Sequence, residues 1–261
     1  MQQTDAALVL REDTAGVARI TLNRPQQFNA LSMAMLDALE SLLAELALDR
    51  SVRVIVIGAS GPAFCPGHDL KEMLAQRTRE FIGGLFEKCC RIMLSLAELP
   101  QPVIARVHGI ATAAGCQLVA ACDLAIASDE ARFATSGINF GLFCATPGVP
   151  VSRTLARKHA LQMLLTGEFV DAQTALQWGL VNRVVPGAEL DDAVRALSDT
   201  LIAKPPGVLA SGKRFFYRQI ELPMAAAYRD AAAVITSHML GDDALEGVSA
   251  FIDKRKPQWP T

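Results

Sequence analysis

Two stretches of the chain combine small residues with a spacing that could hold a developing negative charge. In VIVIGASGPAFCPGHDLKEM a β-branched run leads into a loop rich in Gly and Pro, and a helix is predicted to begin near Asp69. In PVIARVHGIATAAGCQLVAACD the strand ends near His108, and small residues at 113–115 open a second helix. Backbone N–H groups at the start of a helix lack a partner within it and lie at the positive end of its dipole. Two of them could form an oxyanion hole for a carbonyl or a thioester. Tight packing of a helix on a strand requires the same small residues, so the pattern alone leaves a structural interpretation open.

Four side chains in or near these stretches carry groups that could take part in chemistry. His68 has an imidazole that titrates near neutral pH, although its side chain could equally point into packing. Cys144, in GLFCATPGV, is a candidate nucleophile, but a cysteine is more often a buried apolar residue. Asp69 is expected to cap the helix that follows it, and Asp123 is expected to be a structural carboxylate in a turn.

The elements that must hold these turns alternate between strands and helices. ALVLRED and GVARITLNRP are β-rich runs separated by residues 13–16, which is the spacing of a hairpin. After Ser32, apolar residues recur at intervals of three and four, so we expect a helix with Ser32 as its cap. Further along we predict strands over 52–57, 102–107 and 124–127, a mainly helical segment over 70–99 and a buried helix over 113–122. This alternation is typical of an α/β protein.

Beyond Pro147 the composition favours helices. We predict helices over 151–165, 171–178, 190–203, 208–220, 224–239 and 243–255, with one strand over 181–185. The Pro205-Pro206 pair interrupts the chain, so residues from about 205 onward could form a helical module that packs on the core or on a neighbouring subunit.

Composition and charge exclude several classes of function. With 261 residues, of which 51% are hydrophobic, the chain can bury a large core as one domain or as a domain with a helical appendage. A formal charge of -2 gives no general attraction to nucleic acid. The six cysteines form no CxxC pair, so we expect reduced thiols and a cytoplasmic location. We expect no signal peptide, transit peptide or membrane span.

Several catalytic motifs are missing from the sequence. It contains no GxGxxG or GK[ST] element of a nucleotide site and no GxSxG element of a serine hydrolase. The histidines have no metal-ligand spacing, so no metal site is expected; they are His68, His108, His159 and His238.

Five motifs in order make the sequence similar to a known family. They are NRPQQFNALS, AFCPGHDLKEM, HGIATAAGCQLVAACDLAIAS, LLTGEFVDAQTALQWGLVNRVVP and FIDKRKPQW. Together they resemble the enoyl-CoA hydratase/isomerase (crotonase) superfamily over nearly the whole chain. Three segments, GHDLKE, ATAAGCQLVA and FATSGINFGLFCATPGV, indicate one branch of that family in particular.

The resemblance implies a fold, a substrate class and an assembly. The fold is an α/β spiral of ββα units of the ClpP/crotonase type, formed by residues 1–204 and carrying an acyl-CoA site. Residues 205–261 would be a helical oligomerisation region, giving a homotrimer or a dimer of trimers. The oxyanion donors of the family fall on the N–H groups of His68 and Ala114.

The sequence departs from a hydratase at the two acid–base positions. Hydration requires a group that deprotonates water and a group that protonates the α-carbon, and two carboxylates normally share this work. The resemblance places the first catalytic Glu of the family on Gln117 and the second, 20 residues later, on Gly137. An amide has no usable protonation equilibrium, and glycine has no side chain. Because the loss of each such group reduces the rate by about 10²- to 10⁴-fold, efficient hydration by the standard route is not expected.

Several functions remain open at this point. The family label is 2-enoyl-CoA hydration, a lyase reaction, in which His68, Ala114 and Gln117 would be the catalytic residues. Double-bond migration, decarboxylation of a malonyl-type thioester and attack on the thioester need only a stabilised enolate or oxyanion and one extra group, from His68, Cys144 or Asp69. A non-catalytic acyl-CoA-binding protein and an assembly subunit are the alternatives.

The resemblance also implies where coenzyme A would bind. Its contacts would come from Gln26, Phe28, Pro66, Gly67, Gly137, Cys144, Phe251 and Lys254. Gln26 stands where a Lys often meets a phosphate, and Lys254 could instead merely complement a helix C-terminus. Asn29 and Leu31 are expected to fix their loop. No separate cofactor is expected, since the coenzyme A thioester is the substrate.

Overall fold

The computed structural model describes residues 7–259, in which strands and helices alternate through the first two thirds of the chain. The strands are β1 (Val9–Thr14), β2 (Val17–Leu22), β3 (Val54–Ala59), β4 (Val103–Val107), β5 (Ile110–Thr112), β6 (Leu124–Ser128), β7 (Arg132–Ala134), β8 (Val170–Asp171) and β9 (Arg183–Val185). The helices are α1 (Met33–Leu48), α2 (Leu70–Ala75), α3 (Arg79–Glu98), α4 (Ala114–Ala121), α5 (Ala145–Thr154), α6 (Arg157–Thr166), α7 (Ala172–Trp178), α8 (Leu190–Ile202), α9 (Pro206–Gln219), α10 (Met224–Met239) and α11 (Asp242–Ile252).

The main sheet has the strand order β1-β2-β3-β4-β6-β9. Strands β1 and β2 are antiparallel, and every later pairing in this sheet is parallel. The predicted hairpin is present, but its turn is shorter than the predicted 13–16 loop. Only Ala15 and Gly16 lie between the strands, with φ of 50° and 81°, as a two-residue turn requires to follow the twist of the sheet.

The alternation of side chains along the central strands creates two hydrophobic layers. Ile55 and Ile57 of β3 face the larger core, which includes the buried faces of α1, α3 and α4. Val54 and Val56 point the other way and pack with Leu190 and neighbouring residues of α8. The parallel sheet is therefore covered on both faces, as buried parallel sheets require. Ser32 caps α1 as predicted, since its side chain accepts a hydrogen bond from Met35 N–H.

A second, three-stranded sheet was not predicted from the sequence. Its order is β5-β7-β8, and each strand has only two or three residues. Because such short strands are too brief for periodicity to reveal them, the segment after His108 was expected to pass directly into a helix. The expectation of a single strand beyond Pro147 was also wrong, since β8 precedes β9.

The helix predicted over 151–165 is in fact two helices. Helix α5 begins earlier, at Ala145, and α6 follows after extended backbone at Leu155 and Ala156, with ψ of 155° and 141°. The sequence there contains no Gly or Pro, so the break has no local signal. Leu155 is 5% exposed, which indicates that burial of this side chain determines the change in direction.

The C-terminal helices α9–α11 are attached to the core through α9. Lys213 of α9 donates hydrogen bonds to Leu96 O and Gln101 O and forms an ion pair with Asp123. Many apolar side chains on α10 and α11 and on the turn between them remain exposed, among them Tyr228, Ile235, Met239, Leu240, Leu245, Phe251 and Ile252. None of the helices within residues 7–259 is long and apolar enough to cross a membrane.

Candidate active site

The two turns with small residues lie side by side because the loop after β3 pairs with β5. Phe64 N–H and Cys65 N–H both donate to Ile110 O at 3.0 Å, and Thr112 N–H donates to Cys65 O at 3.0 Å. This pairing extends the smaller sheet by one irregular strand. It carries the loop past the start of α4 and up to His68, two residues before α2 begins.

Two glycines permit the closest approach between these turns. A Cβ at Gly115 would lie 2.0 Å from Cys65 O, so any side chain there would separate α4 from the loop. Gly67 has φ of +101°, and a Cβ at this position would lie 3.2 Å from Ala114 N. The Gly67–His68 peptide and the Ala114 amide are therefore neighbours.

Both predicted donor amides are unengaged within the described chain. Leu31 pairs with the residues on both sides of His68. Leu31 N–H donates to Gly67 O at 2.8 Å, and Asp69 N–H donates to Leu31 O at 3.3 Å. The N–H of His68 takes part in neither bond. Ala114 is the first residue of α4, where an N–H has no partner within the helix. The turn before it is strained, since Ala113 has φ of 49° and ψ of −119°. Backbone strain of this kind often occurs at functional sites.

The imidazole of His68 is held against α3. Its Nδ1 lies 3.3 Å from Leu31 O, and its ring meets Phe86 edge-on with centroids 5.1 Å apart. A carbonyl oxygen can only accept, so Nδ1 carries the proton and Nε2 presents a lone pair. Nε2 is buried and has no hydrogen-bond partner among residues 7–259. Burial lowers the pKa of His68, which keeps the ring neutral near pH 7.

Gln117 lies one turn into α4 from the Ala114 amide. Its side chain is 2% exposed, and its Oε1 has no hydrogen-bond partner in the described chain. An unsatisfied buried amide oxygen is unfavourable by about 1–3 kcal/mol, so its retention points to a hydrogen-bond donor supplied from outside the protein. Whether that donor is water or substrate, Gln117 can bind it but cannot deprotonate it.

Gly137 and Cys144 contact each other across a tight loop. The N–H of Gly137 donates to Cys144 Sγ at 3.2 Å. Next to Gly137, Ser136 Oγ lies 2.8 Å from Thr112 Oγ1, and Ala134 O accepts from Ala113 N–H at 3.0 Å. These bonds attach the loop to the turn that carries Ala114. Burial raises the pKa of the Cys144 thiol, which therefore stays protonated at neutral pH.

The carboxylates near the site have structural roles, as predicted. Asp69 accepts hydrogen bonds from the N–H groups of Lys71 and Glu72 and is the cap of α2. It also forms a 2.7 Å ion pair with Arg24; burial opposes ionisation, but these contacts together hold the pKa of Asp69 below its usual value. Asp123 binds Val103 N–H at 2.7 Å as well as Lys213.

Asn29 fixes the loop before α1, also as predicted. It is fully buried, and its Nδ2 donates to Ser60 O and Ala63 O at 2.8 and 2.9 Å. Its Oδ1 accepts from Arg24 N–H at 2.8 Å. Leu31 binds the backbone on both sides of His68, so this loop fixes the position of the His68 amide.

The residues predicted to bind coenzyme A do not form one cluster within a single chain. Gln26 and Phe28 are exposed beside the site loop, whereas Phe251 and Lys254 are exposed at the end of α11. Hydrogen bonds and ion pairs within residues 7–259 do not join Phe251 or Lys254 to the amide-bearing turns. Pro66, next to Gly67, lies in the site loop and is partly buried.

Sequence reasoning missed three groups that shape the site. Phe86 packs against the His68 ring, Thr112 binds the loop of Gly137, and the backbone of Leu142 lies over Gly137. Of the three, only Phe86 could have been noticed in the sequence, because it follows Gly83-Gly84 within a segment that was predicted to be helical. The other two contacts depend on the unpredicted small sheet and on a loop.

Comparisons with known proteins identify the family of this chain. Residues 12–261 match the family model described as enoyl-CoA hydratase/isomerase. The chain is 44% identical over 259 residues to the mitochondrial enoyl-CoA hydratase domain-containing protein 3 of Xenopus laevis, covering 99% of this chain and 87% of that protein. The segments GHDLKE, ATAAGCQLVA and FATSGINFGLFCATPGV indicated one branch of the family. That branch is the one of the Xenopus laevis protein, so the predicted resemblance is confirmed.

Solved structures show the same fold. A crystal structure of an enoyl-CoA hydratase from Mycobacterium smegmatis has a TM-score of 0.96 at 56% identity, covering 98% of this chain and 100% of that chain. The human enoyl-CoA hydratase domain-containing protein 3 has a TM-score of 0.94 at 42% identity, covering 97% of this chain and 100% of that chain. The predicted crotonase fold is confirmed, and the chain belongs to the enoyl-CoA hydratase/isomerase family.

Proposed function

We propose that this protein binds an acyl-CoA thioester and stabilises its enolate through the N–H groups of His68 and Ala114. The observation that carries the proposal is the proximity of two unengaged amides, brought together by the close contacts at Gly67 and Gly115. A thioester carbonyl oxygen that accepts from both would gain charge as the α-proton leaves. Donors fixed in advance around such an oxygen stabilise the charged state without rearranging.

The proton transfer itself we assign to His68. Its Nε2 presents a lone pair, and the Leu31 carbonyl fixes the ring in the tautomer that makes this nitrogen a base. Because burial lowers its pKa, the ring is unprotonated at neutral pH and its Nε2 lone pair is free. Gln117 would hold a polar group of the acyl chain or a water through its unpaired oxygen.

Such a site supports double-bond migration or decarboxylation better than addition of water. Neither Gln117 nor Gly137 can act as a general acid or base, so both proton transfers of a hydration would fall on one imidazole. A migration of the double bond uses one base that removes a proton and returns it two carbons away. We therefore place 2-enoyl-CoA hydration, the family label, behind isomerase and decarboxylase chemistry. A non-catalytic acyl-CoA-binding protein is the second candidate, and the absence of both carboxylates favours it.

We further propose that the working unit is a homotrimer or a dimer of trimers. The exposed apolar side chains of α10 and α11, including Tyr228, Met239 and Phe251, support an interface there. Within such an assembly Lys254 could meet the coenzyme A phosphates of a neighbouring site, together with Gln26 and Phe28 of that site's own chain. Size measurement by light scattering tests the assembly.

The test of the chemistry separates binding, proton transfer and hydration. Binding of butyryl-CoA is measured by calorimetry, exchange of its α-protons in deuterated water by NMR, and hydration of crotonyl-CoA by loss of enoyl absorbance. We expect binding, measurable exchange and slow hydration. In His68→Gln, which keeps the backbone N–H, exchange should fall by about 10²-fold or more while binding persists.

Three outcomes would change the proposal. Binding without exchange in the unaltered protein would establish the non-catalytic alternative. Rapid hydration would show that another group replaces the two glutamates. No binding of any coenzyme A ester would refute the proposal altogether.

A further inference from the structure

Gly137 is enclosed by the loop that follows it. A Cβ at this position would lie 2.6 Å from Leu142 O and 2.7 Å from Cys144 Sγ, both closer than real Cβ atoms approach. One of these two atoms belongs to the backbone, so a side-chain rotation cannot relieve the contact. Position 137 therefore admits no side chain while the loop keeps its conformation.

Several hydrogen bonds hold the loop in that conformation. Leu142 N–H donates to Gly137 O at 3.0 Å, and Gly137 N–H donates to Cys144 Sγ at 3.2 Å, which closes the segment on itself. Gly141, between them, has φ of +77°. Cys144 is also the N-cap residue of α5, and its carbonyl accepts from Gly148 N–H at 2.8 Å. The loop is thus continuous with a helix that packs on α4.

The enclosed position lies on one wall of the proposed enolate site. Ser136 and Thr112 join through their hydroxyl groups at 2.8 Å, and Thr112 is two residues from Ala114. A side chain at 137 would start from the backbone segment that contacts the oxyanion turn. The groups found there instead are a carbonyl oxygen and a protonated thiol, because burial raises the pKa of Cys144.

We infer that the segment Leu142–Cys144 determines reaction specificity, because it excludes any acid–base side chain from position 137. This inference rests on the proposed function, since it concerns the same site. It means that this wall transfers no proton and activates no water. Proton transfer is then left to His68. It also means that the chain is not a hydratase that lacks two carboxylates and could regain them by substitution.

The first experiment tests the space at position 137 without reference to activity. Gly137→Ala is compared with Gly83→Ala, a matched change in α3 where a Cβ would meet nothing within 4 Å. Overpacking should lower the Tm of Gly137→Ala by roughly 2–10 °C. Gly83→Ala should keep or raise the Tm, since alanine favours a helix. An unchanged Tm in Gly137→Ala would overturn the inference.

The second experiment asks whether a carboxylate at 137 can work. Crotonyl-CoA hydration is measured for Gln117→Glu and for Gln117→Glu/Gly137→Glu. We expect the double variant to hydrate no faster than the single one and to be less stable. Because a competent acid or base contributes about 10²- to 10⁴-fold, a gain of about 10²-fold from the second substitution would overturn the inference.

The two proposals fail in different ways. If the unaltered protein neither binds nor exchanges a thioester, the enolate function is wrong, while the Tm comparison still decides whether position 137 is closed. If Gly137→Glu adds hydration, the closure is wrong, and the oxyanion pair is supported by the same result. If the double variant does not fold, Gly137→Ala supplies the deciding measurement.

Discussion

Asp123 is the residue whose removal we expect to affect stability most clearly. Its Oδ2 binds Val103 N–H at 2.7 Å and Lys213 Nζ at 2.6 Å, and its Oδ1 accepts from Tyr217 OH at 2.8 Å. The Lys213 and Asp123 side chains are only 8% and 14% exposed, so solvent screens the pair weakly. Asp123 lies two residues beyond the end of α4, and this cluster therefore joins α4, which begins at Ala114, to α9.

The expected magnitude follows from what each substitution leaves behind. Asp123→Asn leaves a buried ammonium with two carbonyl partners and no counter-charge, and uncompensated buried charges of this kind cost about 3–5 kcal/mol. Tyr217→Phe removes one hydrogen bond to a charged group, for about 1.5–3 kcal/mol. In the double variant Asp123→Asn/Lys213→Met no charge remains, so the loss should be smaller than the sum of the two single losses.

The assay is urea denaturation followed by circular dichroism at one fixed protein concentration, because assembly adds to apparent stability. The pH dependence supplies a second signature. Burial lowers the pKa of Lys213 below its ordinary value, and removal of Asp123 should lower it further. The folded variant then binds fewer protons than the unfolded one, so its stability should rise as the pH increases toward 10. A loss below about 1 kcal/mol at pH 7, or a stability deficit that does not shrink with pH, would refute this reasoning.

Three further predictions concern the site and its loops. Asn29→Ala removes three buried hydrogen bonds and places alanine at φ of 66°, so the free energy of unfolding should fall by about 3 kcal/mol in urea; a fall below about 1 kcal/mol would contradict the assigned role. Because burial lowers the pKa of His68, the contribution of its neutral ring to stability is complete above pH 6.5 and is lost as the pH falls through the folded-state pKa. The stability of His68→Gln should therefore depend less on pH between pH 7.5 and 5. If the unaltered protein and His68→Gln gave parallel stability profiles, the imidazole would be exposed to solvent. Ala113→Gly should raise the free energy of unfolding by about 1 kcal/mol, because relief of about 1–3 kcal/mol of backbone strain exceeds the entropy cost of glycine. If thermal unfolding showed no gain in stability, the turn would be unstrained.

Much of the fold could be predicted because periodicity and capping act locally. Ser32, the apolar spacing after it and the β-branched run at 52–57 are sufficient to place α1 and β3. The predicted and observed ends of the strands and helices differ, because the last hydrogen bonds of each element depend on the elements beside it. β3 extends to Ala59 since Leu22 pairs with that residue, which no local pattern records.

The site was only partly accessible from the sequence, for a physical reason. The family motifs pointed to the amides of His68 and Ala114 as candidate donors, whereas the proximity of these amides depends on the pairing of Cys65 with Ala111, which is remote in sequence. Likewise, Gly137 reveals that a side chain is missing, but only the fold shows that the backbone of Leu142 fills the space. Exclusion of a side chain by the backbone of a neighbouring loop leaves no pattern in the periodicity or the composition of the sequence.

The main-chain origin of the two donors bears on how this protein can change through mutation. A substitution at position 68 or 114 alters what lines the site but retains the N–H, with proline as the exception. The vulnerable positions are instead Gly67 and Gly115, where an added methyl group would push the two turns apart. In the proposed site, a residue such as Gln117 can therefore be exchanged without removing either donor N–H. Position 137 is different, because a Cβ there would lie 2.6 Å from Leu142 O, so a change of catalytic side chain is open to only one of these two positions.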